Sequence, residues 1–319
     1  FDRTIVEGPL PRAVWMLAWP GMLQNIVGGL QGIVDQAMVG NYVGHTGNAA
    51  IGVSMQIFLL VIVFVASVFS GMGVLVARFA GAGDHAKVNR TVYQAFLTAL
   101  FMALGVLAPL GYFVAPAMLD MINAAPEVQV EALPYIRVMF VFSIGMLVFF
   151  MMSGALRSAG DARTPLRLGV AMTVLNIVLN VVLIRGLGPI PAFGTVGAAM
   201  GTAIASGLTG AAFLWLLFSG RLVIHFTWNM SFAPDWRIIR ELFRFGLPTG
   251  FQGIVMNIGG VLLLRFVGSL DYSAEAQAAY TVGYTELFAL ITFTSVGLMG
   301  ATAAVAGQNL GAGYPERSR

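Results

Sequence analysis

The residue most able to do chemistry is Asp35, an aspartate inside the long apolar segment that contains GGLQGIVDQAMVG at residues 28–40. A carboxylate at membrane depth costs roughly 3 kcal/mol or more unless it is paired, neutralised or hydrated. On a helix, Gln24, Gly28, Gln31 and Asp35 recur at steps of four, three and four residues, so they share one face. Lipid does not tolerate such a polar face, and we expect it to point into a helix bundle. There the carboxylate can take up a proton or a Na⁺ ion.

Polar side chains on two later apolar segments are candidate partners of this carboxylate. Asn176 and Asn180 are four residues apart, as are Thr202 and Ser206, so each pair lies on one helix face. Carboxylate, amide and hydroxyl oxygens suit Na⁺, and they can equally hydrogen-bond a protonated acid. The alternative interpretations are that Asp35 snorkels to the outer surface, that the asparagines only hydrogen-bond between helices, and that Thr202 only packs.

The composition indicates a helical protein with many membrane spans. Of 319 residues, 58% are hydrophobic and only 10% are charged, whereas soluble domains carry about a quarter charged residues. Apolar runs of about 20 residues, the length that crosses a bilayer, recur along the chain. No cysteine is present, so disulfides and thiolate metal sites are excluded, and the net charge of +3 suggests no nucleic-acid partner. We predict eight spans, at 13–39, 49–77, 91–115, 134–156, 166–185, 195–218, 244–268 and 276–306.

The distribution of basic residues predicts the orientation of these spans. All but three of the 17 lysines and arginines fall on the two tails and on alternate loops. The three exceptions, Arg137, Arg185 and Arg265, stand at span ends, where we expect them to snorkel to the interface. Basic loops stay in the cytoplasm, so we expect a multi-pass protein of the inner cell membrane with a cytoplasmic N-terminus.

The chain also repeats itself. Pro20 and Gln24 of WPGMLQ match Pro248 and Gln252 of LPTGFQ, 228 positions later. AGAGDHAK at 80–87 matches LGAGYPER, which begins 230 positions later. Six spans fit in one period, and because six is even the second copy starts on the same side of the membrane. Such a parallel repeat predicts two lobes with a substrate site between them.

The second copy holds only two spans on this interpretation. We therefore expect an N-lobe at 1–230 and a partial C-lobe at 231–319, cut short after the eighth helix. The period extrapolates to about twelve spans in roughly 450 residues for the intact protein.

The chain resembles the multidrug and toxic-compound extrusion (MATE) family, nearest its DNA-damage-inducible-F-like branch. The resemblance spreads over nearly the whole chain and is carried by VDQAMVG in the first span, ARFAGAGDHAKV with its echo AGQNLGAGYPER, GALRSAGDARTP at 154–165, and LNIVLNVVLIRGLGPIPAFGTVGAAMGTAIA at 175–205. It implies an all-α polytopic fold with two lobes of six helices in a V around a central cavity. It also implies an antiporter that exports organic cations or other amphipathic drugs, driven by H⁺ or Na⁺ and using no other cofactor.

The resemblance places a cation-coupling site of the N-lobe at Asp35, Asn176, Asn180 and Thr202. The branch usually has a second aspartate where this chain has Asn180. One carboxylate instead of two lowers the charge available for Na⁺, so we favour H⁺ while keeping Na⁺ at Asp35 as an alternative.

For the substrate cavity we expect Gln31 together with three residues of the eighth span. Glu286 is the other acid well inside an apolar run and could attract a cationic substrate, unless it pairs with Arg265 or lies at the outer interface. Tyr280 and Tyr284 share a face of that span. GALRSAGDARTP is interpreted as a cytoplasmic element that sets topology and packing.

Three other functions compete with drug antiport. A flippase for lipid-linked saccharides or peptidoglycan precursors belongs to the same superfamily, but its anionic cargo would favour several cationic residues in the cavity. An intramembrane enzyme would need a Ser/His pair, paired acids or a metal set inside the spans, and the two acids stand on distant helices. A channel is disfavoured by the two-lobe repeat. We expect a monomer in the lipid bilayer that binds small amphipathic molecules.

Overall fold

A computed structural model describes residues 3–121, 125–227, 229–268 and 288–318. Within these ranges the chain forms helices and no strands, which confirms the all-α prediction. Six of the first seven predicted spans are helical throughout, the span at 134–156 is interrupted at 142–143, and the eighth is described from residue 288 onward. The helices are α1 Thr4–Glu7, α2 Leu10–Tyr42, α3 His45–Gly81, α4 His85–Phe101, α5 Ala115–Met121, α6 Pro126–Val141, α7 Ile144–Ser158, α8 Arg163–Arg185, α9 Gly194–Phe218, α10 Trp236–Gly268 and α11 Phe288–Gly311.

Several of these helices are long and apolar enough to cross a membrane. Four segments of the described chain meet both conditions by themselves, and a fifth does so if the bent pair α6 and α7 is one span. The four are Val61–Gly81, His85–Met121, Arg163–Arg185 and Gly194–Phe218. Helix α2 is not among them, although it is 33 residues long. Its glutamines, asparagines and aspartate lower its apolar character, as expected for a helix that turns a polar face inward.

Two of the predicted spans are irregular. The span predicted at 134–156 is two helices, α6 and α7, which meet at an angle of 52°. After the break, Gly145 lies against the backbone of Gly207 on α9, where a Cβ would collide, so the bend brings α7 into close contact with α9. The span predicted at 91–115 runs from His85 to Met121 and is wound as π-helix on both sides of Pro109, which has no N–H to donate.

One end of the bundle gathers the basic loops, and we call it the basic end. Arg90 at the start of α4 pairs with Asp235 just before α10, with 2.6 Å between Nη2 and Oδ2. The Gln308 side chain near the end of α11 donates to the Ser158 carbonyl at the end of α7, at 2.8 Å. These contacts bring the ends of helices from both repeats to the same side, as the placement of the basic residues predicts. At the opposite end, the Arg185 guanidinium lies over a tyrosine ring.

The contacts between the two repeats follow a two-fold pattern. Helix α2 packs on α11, and α3 packs on α10. Gly297 of α11 lies beside Met22 of α2, and Gly250 of α10 lies beside Ser67 of α3. Ser67 and Gly297 are 230 positions apart, and Met22 and Gly250 are 228 apart, which are the offsets of the sequence repeat. The two contacts are therefore equivalent under exchange of the repeats.

The apolar core has two parts. The larger lies among the helices of the first repeat and contains fully buried side chains such as Met72, Phe140 and Phe213. The smaller joins α2 to α11 through residues that include Leu17 and Val305. Together they fix the faces of α2, α8 and α9 that carry the predicted polar residues.

Candidate functional site

Asp35 lies in a polar cluster between α2, α8 and α9. Its side chain is half-buried, and Asn180 Nδ2 donates a hydrogen bond to its Oδ1 at 2.6 Å. Asn176 and Asn180 have no exposed surface. Thr202 of α9 closes the cluster, with its Oγ1 3.1 Å from Asn176 Nδ2. The structure thus brings together the four residues proposed for cation coupling, with Asp35 hydrogen-bonded to an amide.

The amide of Asn176 can face its neighbours in two ways. In one orientation its nitrogen points to Thr202, and its oxygen accepts from Asn180 Nδ2 at 3.3 Å. In the other, its nitrogen donates to Asp35 Oδ1 at 3.1 Å, and its oxygen accepts from the Thr202 main-chain N–H at 3.2 Å. The second orientation gives an ionised Asp35 two amide donors, from Asn176 and Asn180.

The position of Asn180 depends on two glycines of α9. A Cβ at Gly201 would overlap Asn180 Oδ1, and a Cβ at Gly197 would collide with the main chain at Leu183. The two glycines therefore let α8 and α9 approach closely enough to bury both asparagines. The sequence signal was the spacing Gly197-x-x-x-Gly201, which indicated helix packing but not its consequence for the polar cluster.

The cluster opens into a cavity of about 460 Å³. Gln31 lines this cavity and accepts a hydrogen bond from Thr173 Oγ1 at 3.0 Å. The walls are rich in methionine and aromatic side chains, which sequence reasoning did not single out: Met55, Tyr135, Met139, Met146, Phe149, Phe150, Met172 and Phe293. They come from helices of both repeats, so no pattern within one helix could have indicated them.

No lysine or arginine of the described chain forms an ion pair with Asp35. Arg137 places its guanidinium over the Tyr112 ring, 5.1 Å from the centroid. Asp35 is therefore held by neutral donors. Among the described residues, this carboxylate therefore has no counter-charge.

Three of the predicted cavity residues belong to the eighth span. Glu286, Tyr280 and Tyr284 lie outside the described residues. The side chain of Arg265, the suggested partner of Glu286, is also not described.

The structure adds a residue that the sequence analysis assigned to a loop. Arg157 belongs to the last turn of α7, and its side chain lines a second cavity of about 510 Å³ between the two repeats. Arg157 Nη2 donates to Gln24 Oε1 at 3.3 Å. The motif GALRSAGDARTP therefore contributes a charged side chain to the space between the repeats as well as a turn.

Comparison with known proteins matches the chain to the MatE family model over residues 20–182 and 248–319. The chain is 29% identical to the probable multidrug resistance protein NorM of Thermotoga maritima, over 84% of this chain and 56% of that protein. It is 28% identical to the multidrug export protein MepA of Staphylococcus saprophyticus, over 88% of this chain and 60% of that protein. The chain thus spans little more than half the length of these curated relatives.

Solved structures show the same architecture. A MOP superfamily transporter from Pyrococcus furiosus is 25% identical and matches 99% of this chain and 68% of its own, with a TM-score of 0.88. A MATE structure in complex with MaD3S has a TM-score of 0.89 at 24% identity, which supports the fold alone. The family model covers both predicted repeats and includes the helix that carries Asp35. The chain therefore belongs to the MatE family, whose members are membrane transporters.

Proposed function

We propose that this protein is a secondary exporter of amphipathic drugs that exchanges its cargo for protons at Asp35. The observation that carries the proposal is the half-buried carboxylate of Asp35, bound by Asn180 Nδ2 at 2.6 Å and facing a cavity lined with methionine and aromatic residues. A group that must gain and lose a cation needs neutral neighbours that can serve both states. The Asp35 cluster has such neighbours.

The amide of Asn180 supports proton coupling. As placed, its nitrogen donates to the ionised carboxylate, and its buried oxygen has no hydrogen-bond partner. A half-turn of the amide would turn that oxygen toward Asp35, where it could accept from the protonated acid. Na⁺ instead needs several oxygen ligands at once, and in the orientation described the Asn180 amide turns its nitrogen, not its oxygen, to Asp35 Oδ1. H⁺ is therefore the coupling ion that we propose, with Na⁺ as the alternative.

The cavity supports a cargo of varied shape. Methionine side chains are flexible and polarisable, and aromatic faces bind flat rings and cations, so one wall can serve many ligands. Relatives of the chain carry the names multidrug resistance protein and multidrug export protein. We extend that activity to this protein, whose family points to transport rather than to enzymatic catalysis.

The same proposal includes an orientation. We place the basic end in the cytoplasm and the Asp35 cluster toward the outside of the inner cell membrane, because loops rich in arginine remain cytoplasmic. We also place the protein nearest the DNA-damage-inducible-F-like branch, on the motifs around Asp35 and Asn180, and we expect it to act as a monomer.

The test is transport by the full-length protein in proteoliposomes with separately imposed H⁺ and Na⁺ gradients. We expect a cationic dye to move only under the H⁺ gradient in the wild type. Asp35→Asn keeps the shape of the side chain but cannot exchange a proton, so transport should fall to the level of empty liposomes. Asp120→Asn, which changes an exposed acid that accepts from Gln129, is the matched control and should transport normally.

Normal dye transport by Asp35→Asn would overturn Asp35 as the coupling residue. Transport by the wild type under the Na⁺ gradient alone would overturn the choice of ion while leaving the site in place.

A further inference from the structure

The guanidinium of Arg157 lies between the two repeats with few partners. In the described chain its one hydrogen bond is the 3.3 Å contact from Nη2 to Gln24 Oε1, on α2. Nη1 would lie 3.8 Å from a Cβ at Gly21 of α2 and 3.6 Å from a Cβ at Gly300 of α11. Each glycine thus leaves room for about one methyl group beside Nη1.

This charge lacks a counter-charge among the described residues. None of the ion pairs there involves Arg157, and its Nε is shut off from solvent without an acceptor. A guanidinium has five N–H donors in a planar fork, so most of them remain free. Removing such a group from water is costly unless an anion compensates it. A ligand that brings a carboxylate or phosphate would supply two parallel hydrogen bonds and the missing charge.

The cavity beside the guanidinium is mostly apolar, with a few polar side chains such as Gln24, Asn25 and Ser153. The cavity of about 510 Å³ is walled by aliphatic and aromatic side chains of both repeats: Ile62, Val63, Phe69, Val74, Phe150 and Val296. Gln24, Asn25 and Phe150 line this cavity and also the cavity that contains Asp35, so the two spaces adjoin. Gln24 and Asp35 are eleven residues apart on α2, which is about 16 Å along the helix.

We infer that the guanidinium of Arg157 binds the anionic head group of an amphipathic molecule whose apolar body fills the cavity between the repeats. The inference rests on the proposed function, because it takes this cavity as part of the cargo path, and it adds a substrate class: amphiphiles that carry a carboxylate, a sulfonate or a phosphate. The head group could belong to a soluble compound or to an anionic lipid.

The test measures binding rather than transport, so it is independent of ion coupling at Asp35. The probes are 11-(dansylamino)undecanoic acid and its primary amide, which share an apolar body and differ by one negative charge. They are titrated into the full-length protein in nanodiscs of neutral phosphatidylcholine. We expect the acid to bind the wild type more tightly than the amide, by about tenfold to a hundredfold, as for a charge-assisted hydrogen bond in a sheltered site.

Two variants test the proposed anion site, one by removing the guanidinium and the other by occupying it with a carboxylate of the protein. Arg157→Gln removes the guanidinium, so the acid should lose its advantage over the amide. Gly300→Asp keeps the guanidinium and adds a carboxylate beside Nη1, which should occupy the site from within and abolish the same preference. Its matched control, Gly300→Asn, adds equal bulk without charge and should keep the preference.

Arg163→Gln is the second control, because it removes an exposed charge from the start of α8 and leaves Arg157 in place. It should bind both probes as the wild type does. If Arg157→Gln fails to fold, Gly300→Asp against Gly300→Asn still decides the matter, since both retain the arginine.

The source of the anion follows from repeating the titration in nanodiscs that contain phosphatidylglycerol. Weaker binding of the acid in those discs, with no such effect in Gly300→Asp, would assign the site to a lipid head group. Unchanged binding would assign it to a soluble amphiphile. Equal affinity of the wild type for acid and amide would overturn the inference, as would a preference for the acid that survives in folded Arg157→Gln or in Gly300→Asp. Failure of Asp35→Asn to abolish transport would leave these binding results unaffected.

Discussion

Gly81, the last residue of α3, lies against the main-chain carbonyl of Gln308 on α11 so closely that a Cβ would overlap it. Gly311 stands in the same relation to the carbonyl of Arg78. Gly81 and Gly311 are 230 positions apart, and so are Arg78 and Gln308, so one contact is the two-fold image of the other. The glycines of the repeated motif AGAGDHAK and LGAGYPER thus form a symmetric crossing of α3 and α11 at the basic end.

Because the two contacts are equivalent, we expect Gly81→Ala and Gly311→Ala to destabilise the protein to a similar extent. Each adds one methyl group where a backbone carbonyl already lies, so the helices must separate, which costs about 1–3 kcal/mol. The measurement is the thermal unfolding midpoint of the purified full-length protein in detergent, which should fall for both variants.

Gly52→Ala is the matched control, on the same helix α3 but with open space at its Cβ position. It should be neutral or slightly stabilising, because alanine favours a helix over glycine by up to about 1 kcal/mol. If the three variants melted together, the close approach would not be a determinant of stability.

The architecture was predictable because apolar runs and repeated motifs can be recognised in the sequence without knowing any contact in the fold. Apolar runs of membrane length predicted the spans, and the copied Pro20 and Pro248 motifs predicted the repeat. The steps between Gln24, Gln31 and Asp35 predicted the polar face of α2, which the structure turns toward α8.

Features that depend on contacts between distant residues could not be predicted. Arg157 lies in the last turn of α7, and its place in the cavity depends on how α7 packs against α2, where it contacts Gln24. The spacing of Gly197 and Gly201 indicates helix packing. That Gly201 faces Asn180 follows only from the register in which α8 packs on α9. Hydrophobic periodicity does not specify that register.

A second carboxylate at position 180 should change the coupling ion. Asn180→Asp places two acids within hydrogen-bond distance of each other, and their combined charge and oxygens suit Na⁺ better than one acid among amides does. We expect Na⁺-driven dye transport to appear or to rise severalfold in proteoliposomes, with Asn180→Ala as the variant that removes the polar group altogether. Transport by Asn180→Asp that ignores Na⁺ would show that the number of carboxylates does not select the ion.

Gly201→Ala should impair coupling although no polar residue is substituted. Its methyl group would occupy the position of Asn180 Oδ1, so the amide must move from Asp35. We expect H⁺-driven transport to fall toward that of Asn180→Ala, and Gly207→Ala, on the same helix with free space at its Cβ position, to transport as the wild type does. Normal coupling in Gly201→Ala would mean that Asp35 does not need Asn180 at its present distance.

The methionines of the Asp35 cavity should set the range of cargo rather than the rate of coupling. Met146→Val and Met172→Val replace flexible side chains with short, stiff ones, so the wall can no longer adapt to ligands of different shape. For a panel of cationic dyes, we expect transport of some to fall severalfold and transport of others to be unchanged, while the H⁺ dependence of each remains. Met121→Val, at a side chain that is 83% exposed, should leave the whole panel unaffected. A uniform loss across the panel would instead indicate that these methionines stabilise the bundle and do not contact the cargo.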